Sequence, residues 1–297
     1  MRVNANGISI EVEDTGADGS QAGRPVVMLI MGLGMQLVAW PQALVDTLVQ
    51  AGYRVVRHDN RDIGLSQHFD ALGVPNMLWA MFKSRVGMAL RPPYTLEDMA
   101  HDALGVLDAL GIPNAHIVGA SMGGMIAQRV AIAAPSRVRT LTSIMSSSGA
   151  RGLPEAKAEV VRALMSRPAG RNREAILDHG VKVFRLIGSP AYPSTDAEIK
   201  QRMGLALDRS YHPVGVLRQI VAIGADTGRA TALARISSPS LVLHGRADAL
   251  VPFPCGEDTA RRIPASRLVG IDGMGHDLPP GVLDQLIPHM LPHMAAH

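Results

Sequence analysis

The chain has 297 residues, 47% hydrophobic and 19% charged, which is enough for a full-sized core and excludes intrinsic disorder. Its single cysteine, Cys255, excludes an internal disulfide and a cysteine-only metal cluster. A formal charge of +3 is too small a surplus to argue for nucleic acid as a partner. Aromatics are scarce at 3% and methionines number 16, so the core is expected to be mainly aliphatic.

Residues 1–14 are polar and alternating, without the apolar stretch of a signal peptide, and residues 8–12 read as an edge strand. Residues 26–31 form a continuous aliphatic run, as a strand buried on both faces requires. Leu44, Val45, Leu48 and Val49 share one face of a helix stopped by Gly52. Residues 53–57 read as the next strand. Residues 77–90 are apolar but interrupted by Lys83 and Arg85, so neither they nor 26–31 could span a bilayer. Thr95, with Asp98 three residues on, caps a helix whose apolar positions are Leu96, Met99, Ala103, Leu107 and Leu110; Gly111 and Pro113 end it. Further strands are expected at 116–118, 141–145, 241–244 and 268–271. Strands alternating with helices imply a mostly parallel sheet covered on both faces, the α/β class.

Residues 150–235 break this rhythm, with helical patterns at 155–167, 196–207 and 213–223 and no convincing strand. This segment carries 14 Lys and Arg against 8 Asp and Glu, so it is +6 and the remainder of the chain −3. The expected organisation is a helical cap, 150–235, inserted into an α/β core made of 1–149 and 236–297. The cap's positive charge reads first as solvated helix faces and second as an attraction for anionic substrates. The insert at 77–90, Met81 included, is expected to help line the same cavity. The expected protein is cytoplasmic, without a membrane span, and a monomer or homodimer.

Gly119-Ala120-Ser121-Met122-Gly123-Gly124 follows a strand and precedes an Ala-rich helix that stops at Pro135. A nucleophile on so tight a turn needs neighbours without bulk two residues away, and the helix N-terminus beneath it favours negative charge. A serine hydroxyl is a poor nucleophile without a base. Among 11 histidines, His276 stands out, because small residues in Gly273-Met274-Gly275-His276 let the loop after the last strand bring an imidazole over the sheet. His58 and His244, at strand ends, are its rivals; His289, His293 and His297 read as solvated. The base needs a carboxylate to fix its tautomer, and Asp248 in His244-Gly245-Arg246-Ala247-Asp248 supplies one in the chain order Ser, Asp, His. Asp226 and Asp272 are weaker candidates.

The oxyanion formed on attack needs preorganised donors. Met122 offers one backbone N–H and Leu33 the other, because Gly32 and Gly34 let Leu33 turn inward. The same glycines resemble the start of a dinucleotide loop, but the third glycine position is Leu37 and Pro41 interrupts any helix there. Cys255 has no elbow around it and is read as a buried small hydrophobe. Met35, Met145, Gly32 and Met81 are expected around a substrate pocket. No phosphate-cradling loop and no metal-binding helix motif occurs in the sequence.

Met31 to Gly34, Asp59-Asn60-Arg61-Asp62-Ile63-Gly64-Leu65-Ser66, Gly119 to Gly124, His244 to Asp248 and Gly273 to His276 together resemble the α/β-hydrolase superfamily. The likeness is strongest to the serine carboxylesterase branch that includes the aclacinomycin methylesterase and the cofactor-free haloperoxidase-like esterases. The resemblance implies an eight-stranded sheet, a helical cap after the sixth strand and no cofactor. It also implies Ser121 as nucleophile, His276 as base, Asp248 as its orienter, and Leu33 and Met122 as the oxyanion hole. Many relatives carry His-Gly where this chain has Met31-Gly32, which alters pocket polarity. The expected reaction is hydrolysis of small to medium apolar carboxylic esters through an acyl-enzyme. Carbon–carbon bond hydrolysis or perhydrolysis on the same triad is the alternative, and a ligand-binding receptor the non-enzymatic one.

Overall fold

The computed structural model describes residues 1–297, the side chain of Ser84 excepted. In chain order the strands are β1 (Arg2–Ala5), β2 (Ile8–Asp14), β3 (Val26–Ile30), β4 (Arg54–His58), β5 (Ala115–Ala120), β6 (Val138–Ile144), β7 (Ser240–Gly245) and β8 (Ser266–Ile271). They form one sheet of order β1-β2-β4-β3-β5-β6-β7-β8. The first two strands join antiparallel, and β4 through β8 run parallel. The stretch expected to be the edge is the second strand; the edge is β1, whose four residues are too few and too polar to signal a strand. In β3 and β5 every residue is buried, and β3 accordingly reads as an unbroken apolar run, while β5 also buries His116.

The helices are α1 (Gln42–Gln50), α2 (Met77–Arg85), α3 (Leu96–Ala109), α4 (Met122–Ala133), α5 (Ala158–Met165), α6 (Arg173–Ile187), α7 (Asp196–Arg209), α8 (Pro213–Ala225), α9 (Arg229–Ala232), α10 (Phe253–Arg262) and α11 (Pro280–Ala295). One face of the sheet packs on α3 and α4 through Leu96, Val106, Ile126 and Val130. The other packs on α1 and α11 through Leu44, Leu48, Val282 and Leu286. Thr95 and Asp98 form the expected capping box at the start of α3. Met122 already lies in α4, so the helix begins directly at the turn.

Five helices, α5 to α9, lie between β6 and β7. Ten of the 14 Lys and Arg side chains in residues 150–235 are exposed, in keeping with solvated helix faces, while three arginines serve attachment. Arg209 of α7 bonds the fully buried carboxylate of Asp59 at 2.5 Å. Arg218 of α8 pairs with Asp62 at 2.6 and 2.8 Å, both side chains having no exposure. Arg229 of α9 bonds Asp226 and, deeper, Gln128. Buried charges persist only when paired, so these arginines fix the helical segment to the sheet. Exposed pairs such as Arg173–Asp208 and Arg185–Asp196 take up more of the surplus.

Candidate active site

The parallel strands all end on one side, and the loops leaving β3, β5, β7 and β8 carry the candidate residues. Ser121 sits between β5 and α4 with φ 56° and ψ −122°, a left-handed backbone that a serine adopts only under constraint. Its N–H donates to Ile144 O at 2.9 Å, and its carbonyl accepts from Ser146 Oγ at 2.7 Å. The glycines flanking it are required by contact: a Cβ on Gly119 would overlap Gly123 O, and one on Gly123 would overlap Ile30 O. The turn therefore holds its conformation by pressing directly on neighbouring backbone.

His276 Nε2 lies 2.9 Å from Ser121 Oγ, and its Nδ1 lies 2.7 Å from Asp248 Oδ2. A carboxylate only accepts, so Nδ1 carries the ring proton and Nε2 is left to accept from the serine hydroxyl. The other oxygen of Asp248 accepts from Leu250 N at 2.9 Å and Val251 N at 2.8 Å, which pins the carboxylate plane. Asp248 and His276 are both buried, while Ser121 remains partly open. The His276 loop is gripped from the end of α6. His276 N–H donates to Ile187 O at 2.6 Å, and Gly275 N–H to Ser189 Oγ at 2.9 Å. Asp277 accepts from Ser189 N at 2.9 Å and Ser189 Oγ at 2.5 Å. Burial pushes the Asp277 carboxyl above the usual carboxylate range.

Gly32 places its backbone against Ser121, since a Cβ there would stand 3.0 Å from Ser121 Cβ. Leu33 follows it. Neither the Leu33 nor the Met122 amide finds a protein acceptor among the described residues. The loop is braced by Gln219, which sequence reasoning did not single out, and by Asp59 and Asn60 of the motif noted above. Gln219 of α8, fully buried, accepts from Gly34 N at 3.0 Å and donates to Arg61 O at 3.0 Å. Asn60 Nδ2 donates to Met31 O at 2.8 Å, and Asp59 accepts from Leu37 N at 2.7 Å. Gln219 meets its partners 185 and 158 residues away, so the local sequence carries no mark of its role.

The rivals fall elsewhere. His244 faces Val251 O at 2.7 Å and stays 3.8 Å from Asp248, and burial lowers its pKa. His58 is buried with its pKa pushed down to about 4. Asp226 is engaged by Arg129 and Arg229, and Asp272 is exposed beside Arg246. His293 is half-buried rather than solvated. Met35 lies in the loop after β3 and Met145 directly follows β6, while Met81 stands half-exposed on α2.

A profile of the alpha/beta hydrolase fold matches residues 25–279. The chain belongs to the α/β hydrolase family. This hydrolase is 30% identical to the rhodomycin D methylesterase DauP of Streptomyces sp. strain C5, over 94% of this chain and 93% of that one. It is 28% identical to a 2-hydroxy-6-oxononadienedioate/2-hydroxy-6-oxononatrienedioate hydrolase of Pseudomonas sp., over 90% and 85%. The enol-lactonase from Burkholderia xenovorans LB400 superposes with a TM-score of 0.73 at 22% identity, covering 99% of this hydrolase and all of the lactonase. That likeness speaks for the fold, an eight-stranded, mostly parallel sheet of the α/β-hydrolase kind. Among the described residues, no helix is long and apolar enough to cross a membrane.

Proposed function

We propose that this hydrolase cleaves carboxylic esters through an acyl-enzyme formed on Ser121. As an enzyme it is a carboxylic ester hydrolase; the observation that carries the detailed reading is the run of hydrogen bonds from Asp248 through His276 to Ser121. In this reading Ser121 Oγ attacks the ester carbonyl while His276 Nε2 takes its proton, and Asp248 stabilises the imidazolium. The tetrahedral oxyanion lies against the Leu33 and Met122 amides, a donor of this type contributing about 3 kcal/mol to barrier lowering. The imidazolium then protonates the leaving alcohol, and the acyl group remains on Ser121. Water, deprotonated by the same ring, attacks the acyl carbon and releases the acid.

Helices α5–α8, within residues 150–235, serve as the cap over this centre. Apolar substrates of small to medium size fit the residues that follow the strand ends in sequence, Met31, Leu33 and Met35 after β3, Met122 after Ser121 and Met145 after β6. The test is turnover of a p-nitrophenyl ester. Ser121→Ala is expected to lose at least roughly 10³-fold in kcat and to lose labelling by a fluorophosphonate. Undiminished turnover in that variant would remove the serine mechanism. Similarity to the Pseudomonas dienedioate hydrolase supports carbon–carbon bond hydrolysis as a second reading, separated from the first by assaying a vinylogous diketone beside simple esters.

A further inference from the structure

Solvent-exposed apolar side chains on this protein are concentrated in one place. Of 15 large hydrophobic residues that stand exposed among the described residues, eight lie between Leu72 and Met88. Helical spacing aligns Leu78 and Phe82 of α2, and Val86 just beyond it, with Trp79 and Met81 flanking that line. Helices of globular proteins turn such a stripe toward the core. Here Leu78 is 82% exposed and Trp79, Phe82 and Val86 about half, while Met77 and Ala80 face the body of the protein. The helix leans on α8, and Leu90 lies against Gly224 of that helix. It is thus held on one side with its apolar stripe turned out. Apolar surface gathered in this way marks a contact face.

The charge around the stripe selects the partner. Residues 71–96 contain Lys83, Arg85 and Arg91 and no Asp or Glu. Lys83 Nζ stands 5.3 Å from the Trp79 ring centroid, and the Trp79 and Phe82 rings stack at 5.3 Å, so cation and aromatic surface form one unit. A second copy docking through the same face about a two-fold axis would bring like cations together. An anionic lipid surface complements both features, taking the apolar stripe at the boundary of headgroups and acyl chains and the cations at phosphates. We infer that α2 and its flanks dock this protein reversibly on anionic membrane surfaces. The docked face adjoins α8, whose Gln219 holds the Gly34 loop, so apolar molecules dissolved in the bilayer would meet the protein on that side.

Sedimentation of the full chain with phosphatidylcholine vesicles, with and without phosphatidylglycerol, tests this without using turnover. At physiological salt, binding is expected to be roughly 10²-fold tighter with phosphatidylglycerol, from three cations near the surface. Trp79 reports insertion through a blue-shifted emission, because the other tryptophan, Trp40, is buried at 1% exposure and does not respond. The double variant Leu78→Ser/Phe82→Ser is expected to lose sedimentation while keeping its thermal midpoint and its turnover of a water-soluble ester. Lys83→Glu/Arg85→Glu is expected to lose the preference for anionic vesicles. Trp79→Phe should retain binding and lose the emission shift. Absence of sedimentation with either vesicle would overturn the inference. So would sedimentation that survives Leu78→Ser/Phe82→Ser, or a concentration-dependent dimer in ultracentrifugation that this double variant abolishes.

Discussion

At Ser121 the strained backbone costs about 1–3 kcal/mol, and contacts with Ile144, Ser146 and the flanking glycines hold it in place. Those glycines were legible in the sequence, because each fills a position where a Cβ would strike backbone. The partition of Asp248 was not legible, yet it decides what a substitution there does. Its Oδ1 position receives two backbone N–H groups, from Leu250 and Val251. In Asp248→Asn the side-chain carbonyl must therefore stay at Oδ1, which leaves the amide NH2 facing His276 Nδ1. Nδ1 becomes the acceptor, the ring proton moves to Nε2, and Nε2 can no longer accept from Ser121. The expected outcome is a fall in kcat of roughly 10⁴-fold at neutral pH with little change in folding. Steady-state kinetics with nitrogen NMR of the His276 tautomer checks it, and an unchanged tautomer would contradict this account.

The link between α6 and the loop after β8 shows how an element distant in sequence aims a side chain. Ser189 Oγ donates to Asp277 and accepts from Gly275 N–H, one residue on either side of His276. Ser189→Ala leaves that amide unpaired and takes one donor from a buried carboxylate, an expected cost of about 1–3 kcal/mol in stability. Because the imidazole loses its aim while the pocket wall stays, kcat is expected to fall roughly 10- to 100-fold with KM little altered. Thermal melts and kinetics on a p-nitrophenyl ester measure both. Strand β3 was readable as an unbroken apolar run because it is buried on both faces, and the other parallel strands through their short apolar centres. The carboxyl ends of those strands were readable as a site because glycine, serine, histidine and aspartate cluster after them. Ser189, Gln219, Arg209 and Arg218 were not, since their partners lie 150 or more residues away for the last two and 86 to 185 for the others. On the sequence such residues look like ordinary polar positions on helices and turns, and only the assembled sheet gives them partners.

Across the whole molecule, the buried histidines set how folding responds to acid. Burial pushes His58 from 6.5 to about 4, and pushes His116, bonded to Thr140 Oγ1 at 2.9 Å, to about 4 as well. Burial lowers His244 and His293 in the same direction. Between pH 6.5 and about 4 the unfolded chain takes up protons at these rings and the folded chain does not. Stability therefore is full above 6.5 and is lost as pH falls through that window, by about 3 kcal/mol for His58 alone. The paired carboxylates Asp14, Asp62, Asp98 and Asp258 are held below their usual range of 3.8, so their contribution is lost only in more acid solution. Asp59 and Asp277, raised by burial, bind protons more readily when folded and act in the opposite sense above 3.8. Two raised carboxyls stand against five lowered histidines, His212 included, and the histidine slope is expected to dominate. The urea midpoint is expected to drop between pH 7 and 4.5, and His58→Leu should flatten that drop whatever it does to stability at pH 7, because a leucine has no proton to refuse. A drop of the same size in the variant would show that acid enters through the other histidines or the carboxylates and not through His58 on β4.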